Sequence, residues 1–106
     1  MRLSVIIPSR NGGALLARHL PEIVRQAAAL PGGAEVLIVD DLSDHAGDDT
    51  VAVVAAAGPI AQLLRSNIHR GFAGTCNLGA KQARGEFLLF LNNDMRLEQD
   101  CLQRLV

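Results

Sequence analysis

The chain has 106 residues, 49% of them hydrophobic and 20% charged, which suits one small domain with a layered core and excludes disorder. A formal net charge of −1 excludes a general electrostatic grip on nucleic acid or on an acidic membrane. No stretch approaches the roughly 18–20 apolar residues that cross a bilayer, and the opening residues lack a signal-peptide cleavage pattern.

Residues 3–7 form an apolar run closed by Pro8, which reads as a strand ending in a turn. In the loop Ser9-Arg10-Asn11-Gly12-Gly13, Ser9 or Asn11 can cap the next helix. Over 14–30, Leu16, Leu20, Ile23, Val24 and Ala27 recur at helical spacing, and Pro21 is expected to kink this helix or open its second half. Residues 36–39 make a second strand that stops at Asp40-Asp41. An Ala/Val-rich helix over 49–57 ends at Gly58-Pro59, and 60–64 is a weaker third strand. Residues 72–84 read as a helix with a mostly small inner face: Phe72, Cys76, Gly79, Ala80 and Ala83. A fourth strand covers 86–91, and a last helix begins at Glu98. With three Phe and no Tyr or Trp, the core must be aliphatic.

The order βαβαβαβ predicts an α/β fold, a three-layer α/β/α sandwich around a mainly parallel sheet. Strands one, two and four are continuous apolar runs, as expected where helices cover both faces. In such a sheet the loops that follow the strands share one edge, where open α/β sheets bind ligands. Asp94 stands at the mouth of the fourth strand and can hold a hard cation such as Mg2+ or Mn2+; it can equally cap the helix that follows. Asp40-Asp41 can bond a nucleobase N–H or a ribose hydroxyl, or can form a turn. Arg70 and Gly71 can meet a phosphate or can simply start a helix. Gly71, Gly74 and Gly79 do not match GxGxxG. His19 and His45 are expected at the surface, and His69 near the cleft. Cys76 faces the core, and with Cys101 it reads as a free thiol in a reducing compartment, the cytoplasm.

"SVIIPSRN", then "EVLIVDDLSD", then "NIHRGFAGTCNLGAKQARGEFLLFLNND" resemble, in this order, the family 2 glycosyltransferases of GT-A fold. The likeness spans essentially the whole chain, and the third block is the most specific. The resemblance implies transfer of a sugar from a nucleotide-diphosphate donor (UDP-, dTDP- or GDP-linked) to a hydroxyl of a carbohydrate or lipid-linked acceptor. Pro8 and the loop behind it, with Arg10, would line the nucleoside pocket. Asp41 would bind the base, with Asp40 supporting it, and Arg70 and Gly71 would flank the nucleotide. Asn92-Asn93-Asp94 would be the D-x-D position, with Asp94 holding Mg2+ or Mn2+ on the donor diphosphate.

Three departures from the family pattern stand out. Asn92 replaces the first acid of D-x-D, a change similar to rhamnosyltransferase-like members. Arg10 stands where many members carry Tyr, and "DDLS" lacks the glycine of the commoner "DDGS" turn. The family's acceptor half and its general base follow the D-x-D strand. Residues 1–106 are therefore expected to be a single donor-binding domain, a GT-A unit truncated after its fourth strand and inactive alone, at work in the cytoplasm or at the inner face of the membrane. A non-catalytic nucleotide-binding module is the alternative from another class. A sugar nucleotidyltransferase would need a more basic, Gly-rich first loop than this one.

Overall fold

The two longest apolar runs become the two central strands. In the computed structural model, which describes residues 1–43 and 47–106, β1 (Leu3–Ser9) lies parallel to β2 (Ala34–Asp40), in register from Leu3–Ala34 to Ser9–Asp40. β3 (Ala61–Arg65) flanks β2 and β4 (Phe87–Phe90) flanks β1, both parallel, giving the order β3-β2-β1-β4. Val5, Ile6, Ile7, Val36, Ile38 and Val39 are fully buried. Burial of each such side chain is worth about 1.5–3 kcal/mol.

Four helices complete the layers: α1 (Gly13–Ala29), α2 (Thr50–Ala56), α3 (Gly71–Gln82) and α4 (Cys101–Leu105). Leu16, Leu20 and Ile23 of α1, Val54 of α2 and Leu102 of α4 pack with Val5, Ile7, Val36 and Ile38 on one face of the sheet. On the other face, Leu78 and Ala80 of α3 cover Ile6, Leu37 and Val39. Gly79 allows that approach, because a Cβ there would stand 2.9 Å from Val39 Cγ2 and still nearer Ile6 Cγ2. The α/β/α sandwich with a parallel sheet is thus present, with several local differences from expectation.

Pro8 does not end β1. In a parallel strand a residue's N–H and C=O point to the same neighbour, and the alternation here is fixed by Ile6 O accepting from Leu91 N and Ser9 O accepting from Asp41 N. Position 8 therefore faces the β4 side, beyond the last β1–β4 pair, Ile6–Phe90, so the missing N–H costs no ladder bond. Nor does Pro21 open a second helix, since α1 runs through it as one element. The N-cap of α1 is Gly12, without a side-chain bond, in place of Ser9 or Asn11. α4 begins at Cys101 rather than Glu98, after Asp100 takes a left-handed φ of 61°. Gln26 docks this closing segment, its Nε2 donating to Glu98 O (2.8 Å) and its Oε1 accepting from Leu102 N (3.0 Å).

β4 is the clearest correction. Its run of apolar residues predicted cover on both faces, yet it is an edge strand with Phe87, Leu88 and Phe90 43–50% exposed. The cause is the placement of α3, which sits over β1 and β2 and leaves β4 outside its cover. Likewise Phe72 is exposed rather than part of the inner face of α3, which buries Gly79 as expected and also Thr75. Cys76 is half-buried, and burial pushes its thiol pKa up, the behaviour of a packing group rather than a nucleophile. His19 is half-buried on α1, and His45 lies outside the described residues.

Candidate functional site

Because all four strands run the same way, the loops that follow them meet at one rim. There they enclose an open cleft of about 530 Å³. Pro8, Ser9 and Arg10 line it from the end of β1, and Asp41 from the end of β2. His69 contributes from the β3–α3 turn, Gly71, Phe72 and Thr75 from the start of α3, and Asn92, Asn93 and Asp94 from beyond β4. Asp41 and Asp94, 53 positions apart in sequence by subtraction of their numbers, thus share one hollow.

Asp41 has little solvent contact and many donors. Its Oδ1 accepts Arg70 N–H at 2.6 Å and its Oδ2 accepts Gly71 N–H at 3.0 Å, while His69 Nδ1 lies 2.9 Å from Oδ2 as an ion-pair contact. Burial alone would push this carboxyl's pKa up. The Arg70 and Gly71 N–H groups, then His69 and Arg10, outweigh that and hold it below the ordinary carboxylate range. A carboxylate offers about four acceptor sites, so about half of this one is already committed to shaping the turn into α3. That also occupies the N–H groups of Arg70 and Gly71, which are not left over for a phosphate. The Arg70 side chain turns aside, its Nε donating to Ser66 Oγ at 2.9 Å.

Asp40 is buried beneath the rim and does not line the cleft. It accepts the N–H of Ser43 at 3.1 Å and the Ser43 hydroxyl, and pairs with Arg65 Nε at 3.4 Å. Ser43 Oγ in turn accepts Asn11 N–H at 2.7 Å, which ties the first loop to the second. The residue between the acids and Ser43 is Leu42, with a φ of 57°. This position needs left-handed backbone, which glycine supplies without strain; leucine holds it here at a cost of roughly 1–2 kcal/mol.

On the far side of the cleft, Asn93 Nδ2 donates to Ser9 Oγ at 3.1 Å, clamping the segment after β4 against the end of β1. Asn92 and Asp94 are exposed at the cleft wall, and Asp94 has no hydrogen-bond partner among the described residues. Among the described residues no three His, Cys, Asp or Glu side chains converge as a preformed metal cage. One open carboxylate beside two amides nevertheless suits Mg2+ or Mn2+, which takes one or two carboxylates and completes its shell with phosphate oxygens and water.

Sequence reasoning therefore placed Pro8, Arg10, Asp41, Gly71, Asn92, Asn93 and Asp94 in the cleft, while Asp40 and the Arg70 side chain stand behind it. It missed the ion-pair contact of His69 with Asp41, whose signal was a histidine directly before Arg70-Gly71. It also missed Asp48, whose Oδ1 accepts Gly13 N–H at 2.9 Å and so supplies from another loop the bond that the N-cap of α1 lacks. Burial pushes the Asp48 pKa up, but Thr50 and Gly13 bonds bring it below the ordinary carboxylate range.

Residues 4–106 match the family model described as Glycosyl transferase family 2. An uncharacterized glycosyltransferase of Haemophilus influenzae is 33% identical over 92 residues, covering 87% of this chain and 29% of that protein. The GalNAc(5)-diNAcBac-PP-undecaprenol beta-1,3-glucosyltransferase of Campylobacter jejuni is 33% identical over 109 residues, 99% of this chain and 33% of that one. Among solved structures, S. aureus TarS in complex with UDP superposes with a TM-score of 0.84 at 27% identity, over 99% of this chain and 31% of that chain. Mannosyltransferase PcManGT from Pyrobaculum calidifontis, in complex with GDP-Man and Mn2+, gives 0.78 at 25% identity over 93% and 29%. The chain spans about a third of the length of the curated relatives it matches. With a family match over nearly its whole length on a GT-A-like sheet, the chain belongs to the family 2 glycosyltransferases.

Proposed function

We propose that the cleft binds the nucleoside diphosphate of a nucleotide sugar, UDP-, dTDP- or GDP-linked. Residues 1–106 then act as the donor-binding domain of a larger GT-A unit that transfers the sugar to a carbohydrate or lipid-linked acceptor hydroxyl. The observation that carries this reading is the shared rim: four loops bring the turn held by Asp41 and the open carboxylate of Asp94 to one hollow. The nucleotides bound by the two solved relatives above support it. Arg10, at the cleft wall, can pair with a phosphate or stack on a base. Asp94, helped by the Asn92 and Asn93 amides, would hold Mg2+ or Mn2+, which when bound neutralises charge on the departing diphosphate. A cytoplasmic setting, at the inner face of the membrane for a lipid-linked acceptor, goes with such donors.

Among the described residues the only cleft carboxylates are Asp41, which the Arg70 and Gly71 N–H groups hold in the turn into α3, and Asp94, which this reading gives to the cation, so none is left for the general base. This observation favours a second reading, in which these residues bind nucleotide without transferring sugar by themselves. Both readings require metal-assisted binding. Calorimetry with UDP, dTDP and GDP should show at least one of them bound about tenfold more tightly with Mg2+ or Mn2+, and Asp94→Ala should abolish that gain. Equal affinity with and without metal in the unaltered chain would contradict the assignment of Asp94. Release of nucleoside diphosphate from a sugar donor would then separate transfer from binding alone.

A further inference from the structure

Asn92, Asp94 and Met95 are exposed, and past Leu91 the backbone does little to hold them to the sheet. The β1–β4 pairing ends where Leu91 N–H donates to Ile6 O at 2.9 Å. Pro8, the next position that faces β4, has no N–H with which to extend it. Among the described residues no further backbone bond joins residues 92–95 to β1, and Met95 N–H turns back to Asn92 O at 3.1 Å. What continues the pairing is a side chain. Three places beyond the last pair, Ile6–Phe90, Asn93 falls opposite Ser9, and its Nδ2 donates to Ser9 Oγ at 3.1 Å. Ser9 is a fixed anchor: it is buried, and its C=O accepts Asp41 N–H at 2.8 Å. Beside it Gly12 leaves the room that the amide needs, because a Cβ there would overlap Asn93 Nδ2 and Ser9 Oγ and stand 3.4 Å from Asn93 Cγ. A primary amide can bond a hydroxyl through either terminal atom, so the clamp holds whichever of the two faces Ser9.

We infer that Asn93 is a positioning residue and not a ligand of the cation: the Ser9–Asn93 bond, seated over Gly12, fixes the turn that presents Asp94 to the cleft. This rests on the donor-binding reading and deepens it, by moving Asn93 from the cation's own contacts to the support behind them. A single open carboxylate holds a hydrated Mg2+ well only if its place relative to the phosphates is set, because the ion demands near-ideal octahedral geometry. The clamp also joins two sides of the hollow, the loop that carries Arg10 and the segment that carries Asp94.

The test is a double-mutant cycle on the intact chain. Its readout is the gain in affinity that Mg2+ gives to whichever of UDP, dTDP and GDP binds most tightly. From about tenfold in the unaltered chain, the gain should fall to about threefold in Ser9→Ala and in Asn93→Ala, and stay at about threefold when both are changed. Urea midpoints check that the variants keep the fold. A second readout needs neither metal nor nucleotide: the amide heteronuclear NOE of Asp94 and Met95 should drop in Ser9→Ala, because an unclamped turn moves more on the fast timescale that it reports. If Ser9→Ala keeps the full gain while Asn93→Ala loses it, Asn93 is itself a ligand. If the two losses add, each residue meets the nucleotide or the ion separately. If neither variant changes the gain, or the NOE values of Ser9→Ala match those of the unaltered chain, the clamp does not position Asp94. Each of these results overturns the inference and leaves donor binding intact. If the unaltered chain binds no nucleotide, or binds it with no gain from Mg2+, the reading beneath falls and takes this inference with it.

Discussion

Replacing Gly85 with alanine is expected to lower stability by about 3 kcal/mol, at the upper end of what overpacking costs. A Cβ at this position would lie 2.5 Å from both Leu3 C and Ser4 N, and 2.8 Å from Ser4 Oγ. Two of these three are backbone atoms of β1, a central strand, and cannot step aside. The close pass exists because the turn between α3 and β4 is bonded to the amino edge of the sheet. Gly85 N–H donates to Ser4 Oγ (2.8 Å), the Ser4 hydroxyl donates to Glu35 Oε2 (2.6 Å), and Arg84 N–H donates to the same oxygen (2.7 Å). Ser4 and Glu35 are both buried, so the loss of this alignment would leave polar groups without water or partner. The Arg84 side chain is the contrasting control. Its contact with Glu35 is 3.6 Å and the arginine is 67% exposed, so Arg84→Ala should cost under about 1 kcal/mol. Urea unfolding of both variants checks the pair; a Gly85→Ala chain as stable as Arg84→Ala would refute the close approach.

Asp41→Ala should lose about 2–3 kcal/mol, since it strands the N–H groups of Arg70 and Gly71, and should also weaken nucleotide binding at least tenfold. Its pH dependence is equally specific. The folded pKa of Asp41 is depressed, so its contribution to stability is complete above the ordinary carboxylate value of about 4 and is lost as pH falls through the lower folded value. Asp48 acts with the same sign. Urea midpoints taken downward from pH 7 should therefore fall less steeply for Asp41→Asn than for the unaltered chain, with a residual slope from Asp48. Parallel slopes would show that Asp41 is not held as described.

Much of this fold is legible because local signals agree with the tertiary ones. Val5, Ile6 and Ile7, and Val36 to Val39, are apolar without alternation, and both runs are central strands. The run Phe87 to Phe90 carries the same pattern yet lies at an edge, because periodicity reports that a strand is apolar and not whether a neighbour covers it. Pro8 misled for a related reason: whether its missing N–H matters depends on which neighbour that position faces and where that neighbour ends. In the site, Asp94 and Asp41 were readable from their places at strand ends. The division of labour between Asp40, which braces Ser43 and Arg65, and Asp41, which braces His69 and the α3 turn, was not, since adjacent carboxylates look alike until their donors are located.

The central claim is that one rim of the sheet receives a nucleoside diphosphate, and a titration of isotope-labelled protein with UDP, dTDP or GDP and Mg2+, followed by amide NMR, tests it most directly. The account predicts that the largest shifts fall on Ser9 to Asn11, Asp41, His69 to Thr75 and Asn92 to Asp94, with little change at Gly32, Gly33 or Gly85 on the opposite edge. Saturable shifts centred on that opposite edge, or none at the residues around Asp41 and Asp94, would contradict it.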